Sequence, residues 1–314
     1  MNLHRLLAAM QNGGTLSKEQ FKVLSDLHLK KVFPLYLELR VAFYAGILFL
    51  AAGLGMTLKR YASEIAADII IITALTAVLT ASLAYCFVKG KEYTKGESPA
   101  PGMFFDYILY LACIIYSLEI AYIETRFAVF GDFWRLHLLI SSFLFFFLAY
   151  RFDNRLVLSF ALSTLAGWLG FELHSANWVW ESMRFTAIGY GLACLAAGAA
   201  LYSYGIKRHF LDIYLNFAAH FVLIALVSGV FGEEWRILYF IALCAACAAA
   251  IVYAQKNRNF LYLVYAVIYG YIGLSSILLR NVTEASFIYM YVIASSAAII
   301  WWLFSMSKKY QERA

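Results

Sequence analysis

Apolar positions in this chain come in long unbroken runs rather than on the single stripe of a water-facing helix. Ten such runs follow residue 34, near 38–58, 66–88, 103–123, 134–150, 156–172, 184–204, 210–230, 235–254, 260–279 and 285–306. A helix apolar on every side is surrounded by lipid or by other apolar helices, and about 20 residues are enough to cross the hydrocarbon of a bilayer. The runs are too continuous for the alternating strands of a barrel, so helices must satisfy their backbone groups in lipid. The pattern predicts an all-α polytopic membrane bundle of about ten transmembrane helices over 34–314. The fourth and fifth runs are short, and the break between them, Arg151-Phe152-Asp153-Asn154-Arg155, is tight enough to make them antiparallel neighbours.

Residues 1–33 follow a different rule. Leu3, Leu6, Leu7 and Met10 fall at helical spacing, and Gly13-Gly14 breaks the run. Ser17-Lys18-Glu19-Gln20 then has the form of a capping box, with Leu16 and Phe21 placed as a hydrophobic staple. Phe21, Leu24, His28 and Val32 continue one face, and Pro34 turns the chain. These residues predict a short cytoplasmic helical hairpin tethered to the first span, where a cytoplasmic protein partner could dock. It lacks an Arg-rich recognition helix, so no nucleic-acid partner is expected.

Composition narrows the class. Of the 314 residues 63% are apolar and 14% charged, against about 45–50% and about 25% in soluble domains. This excludes a cytosolic enzyme, a nucleic-acid binder and a disulfide scaffold. The five cysteines all lie in apolar runs, where a free thiol behaves as a small hydrophobe. The net charge of +6 is a topology signal. Counted on alternate sides of ten spans, eighteen of the 25 lysines and arginines share the side of both termini and seven lie opposite. Both termini are therefore expected in the cytoplasm. The apolar run 6–10 is shorter than the roughly 7–15 residues of a signal-peptide core, which predicts an uncleaved N-terminus.

The segment Gly13-Gly14-Thr15-Leu16-Ser17-Lys18-Glu19-Gln20, followed by a span reading Ala45-Gly46-Ile47-Leu48-Phe49-Leu50-Ala51-Ala52-Gly53-Leu54-Gly55, resembles the bacterial multi-spanning proteins grouped under domain of unknown function 2157. The resemblance covers residues 1–60, and Leu58-Lys59-Arg60-Tyr61 stands where that family has an Asn-Trp-Asp-like segment. It implies a bacterial inner-membrane location and brings no activity, cofactor or site residue with it.

A repeat runs through the later helices. The turns Arg151–Arg155, Ile206-Lys207-Arg208-His209 and Gln255-Lys256-Asn257-Arg258-Asn259 are short, basic and roughly evenly spaced, so the unit is a helical hairpin. At the other helix ends Gly131-Asp132-Phe133-Trp134-Arg135 is echoed by Gly232-Glu233-Glu234-Trp235-Arg236 and, more loosely, by Glu181-Ser182-Met183-Arg184. Duplication explains the echo. So does interfacial chemistry, since acids favour helix N-termini and Trp the membrane interface.

An ionisable group inside a span costs at least a few kcal/mol at the bilayer centre, so the few present are the functional candidates. Asp212, Asn216 and His220 stand four apart on the seventh helix, a polar stripe from its cytoplasmic end to mid-span. Read as function, His220 exchanges protons near pH 6–7. Read as packing, Asn216 and His220 hydrogen-bond to a Tyr or Ser of another helix. Tyr262, Tyr265 and Tyr269 stripe the ninth helix, either lining a cleft for an amphipathic ligand or satisfying the polar stripe opposite. Glu119 lies near the outer end of the third helix, beside Tyr116 and Tyr122. Cys244-Ala245-Ala246-Cys247 has the spacing of a redox or metal motif but sits in an Ala-rich helix with no His or basic neighbour, and reads as packing. With no phosphate loop, HExxH or Gly-x-Ser-x-Gly, no metal, cofactor or catalytic residue is expected.

The leading reading is an inner-membrane protein that moves or binds a small molecule or ion, with His220, Asn216, Asp212, Glu119, Tyr265 and Tyr269 nearest the pathway. The alternatives are a non-catalytic scaffold or sensor whose N-terminal hairpin docks a partner, and a membrane enzyme using Glu119, Glu124, Asp132, His137, Glu172 and His174 on the outer face. None of Pro34, Pro99 and Pro101 interrupts a span, so the broken helices of many transporters are not expected.

Overall fold

The computed structural model describes residues 35–61, 65–98, 100–102, 104–175 and 180–313. The hairpin predicted over 1–33 lies outside them. Among the described residues the regular structure is α-helical, with no strand. The helices are α1 Leu35–Tyr61, α2 Ile65–Lys89, α3 Phe105–Phe127, α4 Leu136–Phe152, α5 Arg155–Ser175, α6 Trp180–Ser203, α7 Leu211–Phe231, α8 Arg236–Asn257, α9 Phe260–Leu278 and α10 Ala285–Arg313. Each grows from one of the ten apolar runs. Seven of them, α2, α3 and α6 to α10, are long and apolar enough to cross a membrane. α4 is apolar but only 17 residues long, and the apolar part of α1 is the shorter stretch Val41–Gly53. The fold is thus of the multi-pass helical membrane class.

Two compact units divide the chain. The first holds α1, most of α2 and Tyr107–Tyr122 of α3. Here Phe43 and Tyr44 of α1 pack their rings 5.2 and 4.9 Å from Tyr107. α2 and α3 run antiparallel, because Tyr122 near the end of α3 bonds Asp68 near the start of α2, while the earlier Glu119 bonds the later Thr76.

The second unit holds Phe87–Asp106 and Ile123–Ala314. It is built from three antiparallel hairpins, α4/α5, α6/α7 and α8/α9, with α7 packed against α5, α6, α8 and α9. Turn chemistry explains the hairpins. Asp153 (φ 57°) closes α4 in the left-handed conformation, and Asn154 then caps α5 by accepting from the Val157 amide at 3.0 Å. Arg258 (φ 53°) and Asn259, which accepts from the Leu261 amide at 3.1 Å, repeat the device between α8 and α9. The α6–α7 turn uses Gly205 (φ 72°) and Lys207 (φ 43°). All three basic turns of the sequence repeat therefore contain left-handed residues. The echo at the other ends does not persist in the backbone, since Trp134 has φ −53° and Trp235 φ 55°.

α7 reaches its neighbours closely because small residues clear the way. A Cβ on Gly198 of α6 would stand 2.7 Å from the Tyr214 Cβ of α7, and the Tyr239 ring of α8 lies flat against Gly229 of α7. Around that contact Leu223, Leu226, Val230, Leu243 and Cys247 form a buried core. Cys247 belongs to this core while Cys244 is exposed, and both are free thiols, so the Cys-x-x-Cys spacing is a packing feature. Gly229→Ala should therefore lower the thermal unfolding midpoint in detergent, with an overpacking cost of about 1–3 kcal/mol. Gly189, which has open space where a Cβ would go, should accept Ala without loss. Equal midpoints for the two variants would contradict this account of α7 packing.

Candidate functional site

The polar stripe of α7 meets the tyrosine stripe of α9. Spacing of four on one helix and of three and four on the other puts both sets on facing surfaces. Asn216 donates its side-chain amide to the Asp212 carbonyl at 2.8 Å and accepts from the Tyr265 hydroxyl at 3.1 Å. The His220 ring lies 4.4 Å from the Tyr265 ring, and its Nδ1 shares a hydrogen bond of 2.8 Å with the Tyr269 hydroxyl. Tyr262, buried, donates to the Asp212 carbonyl at 3.4 Å. Asp212 thus enters through its main chain, and its side chain is exposed. Five of the predicted residues, Asp212, Asn216, His220, Tyr265 and Tyr269, form one continuous seam. The sixth, Glu119, belongs to the other unit.

At Tyr269 the seam opens into a groove of about 520 Å³ lined by Arg184, Ile224, Val227, Ser228, Phe231, Gly232, Tyr269 and Ile272. That volume lies within the roughly 300–1,000 Å³ of small-molecule sites. Arg184, half-buried at the start of α6, donates Nε–H to the Ser228 hydroxyl at 3.2 Å and lies over the Tyr239 ring at 5.9 Å. Its guanidinium is the cation of the groove. The sequence repeat placed Arg184 at an interface, but only the convergence of α6, α7 and α9 makes it a wall of this site.

In the first unit Glu119 is buried and accepts from Thr76, and Asp68, fully buried, accepts from the Tyr122 hydroxyl at 2.5 Å. Asp68 escapes sequence reasoning because it falls three residues inside an apolar run and reads as a helix-end acid. Three outer-face candidates of the second unit, Glu124, Glu172 and His137, are engaged locally, and the side chains of Asp132 and His174 lie outside those described. Glu124 accepts from the Phe130 amide at 2.9 Å, Glu172 pairs with Arg135 at 3.6 Å, and His137 donates Nδ1–H to the Trp134 carbonyl. Among the described residues no group of three or more His, Cys, Asp or Glu side chains is placed to hold a metal ion.

The basic end of the second unit contains a cluster that sequence reasoning took for ordinary turns. Asp153 and Lys207, with side chains 3% and 1% exposed, form an ion pair at 3.1 Å. The other carboxylate oxygen of Asp153 accepts from His209 Nε2 at 2.5 Å. Ser98 also gives its backbone N–H to Asp153 at 2.5 Å, and Lys207 donates both Nζ to the Gly96 carbonyl at 2.9 Å and its backbone N–H to the Lys95 carbonyl at 2.7 Å. The α4–α5 turn, the α6–α7 turn and the segment before α3 are joined through two buried charges. No local pattern signals this, because Asp153, Lys207 and Ser98 come from three separate turns.

Comparisons with protein families, curated proteins and solved structures give no match for this chain. The buried pair has a testable signature. Asp153→Asn and Lys207→Met should each destabilise by about 3–5 kcal/mol, because each strands the opposite charge, and the double variant should recover much of that loss. Chemical unfolding in detergent measures it, and strictly additive losses would contradict direct pairing.

Proposed function

We propose that the protein is a multi-pass protein of the bacterial inner membrane that binds a small molecule or ion and passes it along the α7–α9 seam. The carrying observation is Tyr269, whose hydroxyl bonds His220 and which is also one of the residues lining the Arg184 groove. A ligand seated there adjoins a chain of polar groups leading toward the basic end, with a titratable imidazole in its path. The proposal takes all ten helices as spans and both termini as cytoplasmic, which the eighteen-to-seven charge imbalance supports. The resemblance of residues 1–60 to the domain of unknown function 2157 proteins supports the inner-membrane assignment.

One observation favours the second reading, a scaffold or sensor docking a partner through its N-terminal hairpin. Asn216, His220, Tyr265 and Tyr269 already satisfy one another, as interhelical packing alone would require. Reconstitution separates the two. Proteoliposomes holding a pH-sensitive dye are challenged with a panel of small carboxylates and amines. Transport predicts a protein-dependent response to at least one solute, reduced about tenfold or more by His220→Ala. Folded protein with no response to any solute would support the scaffold. A reporter active only outside the cytoplasm, fused after Ala314, should be silent, and its activity would overturn the orientation.

A further inference from the structure

We infer that the Arg184 groove binds an amphipathic anion, a carboxylate or phosphate head carried on an apolar chain. The inference deepens the reading of the seam as a ligand path by naming the class of ligand at its mouth. The arginines at this end of the second unit differ in how their charge is met. Arg135 pairs with Glu172 at 3.6 Å and Arg280 with Glu233 at 3.9 Å, while Arg236 donates Nε–H to the Val230 carbonyl at 2.9 Å. Arg184 is half-buried and, among the described residues, meets no carboxylate; its one hydrogen-bond partner is the neutral Ser228 hydroxyl.

The guanidinium packs against the backbone of Gly232, and both residues line the groove. Its two terminal nitrogens lie 3.1 and 3.2 Å from where a Cβ of Gly232 would stand, so the absence of a side chain at Gly232 is what lets the guanidinium sit there. A planar N–H fork in the wall of a groove matches a carboxylate or phosphate, and a cation in an apolar wall gains most from an anion that replaces lost water. Ser228 supplies a neutral hydroxyl beside it. The remaining lining, Ile224, Val227, Phe231 and Ile272, is apolar and suits a hydrocarbon chain rather than a sugar or a free inorganic ion. A cationic ligand would be repelled by Arg184, among the described residues the one charged member of the lining.

The head group could belong to a free acid or to a membrane lipid, and the experiment distinguishes them. Protein in nanodiscs of phosphatidylcholine is titrated calorimetrically with decanoate, decanol and decyltrimethylammonium. Saturable binding of decanoate alone is expected, weakened at least tenfold by Arg184→Gln and also weakened by Gly232→Ala, which keeps the charge but pushes the guanidinium from its place. Arg184→Lys, which keeps the charge and loses the fork, should fall between wild type and Arg184→Gln and guards against misfolding of the neutral variant. Loss of decanoate binding in phosphatidylglycerol nanodiscs supports the inference with a lipid head group as occupant, and undiminished binding there supports it with a free acid. Equal binding of decanoate and decanol, or decanoate binding unchanged in Arg184→Gln, would overturn it. Because binding is read without flux, Arg184-dependent binding with no transport would leave this inference standing while removing transport.

Discussion

A polar side chain placed among lipid chains has no water to turn to, so the protein must supply its partner. That constraint organises the second unit. The polar stripe on α7 can be afforded only because α9 presents tyrosine hydroxyls at matching heights, which fixes the rotation of both helices about their axes. Once α9 is so placed, α8 between them in sequence must fold back against α7, and the flat contact of Tyr239 on Gly229 is where it does so. The polar seam thus specifies an arrangement that nondirectional apolar packing would leave open.

The basic end applies the same rule to full charges. Asp153 and Lys207 are both withdrawn from water, and each is met by the other and by further donors or acceptors. A buried pair of this kind contributes little net stability against an apolar replacement, but leaving either member alone is costly. Its effect is to hold two turns and the segment before α3 in one register. At the far end Arg184 meets no carboxylate among the described residues; it has the Ser228 hydroxyl, the Tyr239 ring and an otherwise apolar groove around it. The buried charges of the basic end meet each other while this one faces a groove, and that contrast is why the groove is read as a ligand site.

Much of this was legible in the chain. The length of the apolar runs located every described helix, and the Arg151–Arg155 turn implied the α4/α5 hairpin. The four-residue spacing of Asp212, Asn216 and His220 and the stripe of Tyr262, Tyr265 and Tyr269 implied facing surfaces, since helical periodicity is a local property. Groupings across distant segments were not legible. Arg184, Ser228 and Tyr269 share a groove although they lie on three helices, and Asp153 and Lys207 pair across separate turns whose charges read as solvated. The role of Asp212 was also hidden, because its contribution is a main-chain carbonyl that every residue possesses.

The central claim is that the seam ends in a groove open to water at its Arg184 mouth. In a background lacking the native cysteines, Ser228→Cys next to that arginine can be probed in intact spheroplasts with a membrane-impermeant thiol reagent. The account predicts that Ser228→Cys is labelled from outside and that Leu223→Cys, in the buried core one turn and a half deeper on α7, is labelled only after denaturation. A Ser228→Cys protein that folds normally yet reacts only once denatured would contradict it.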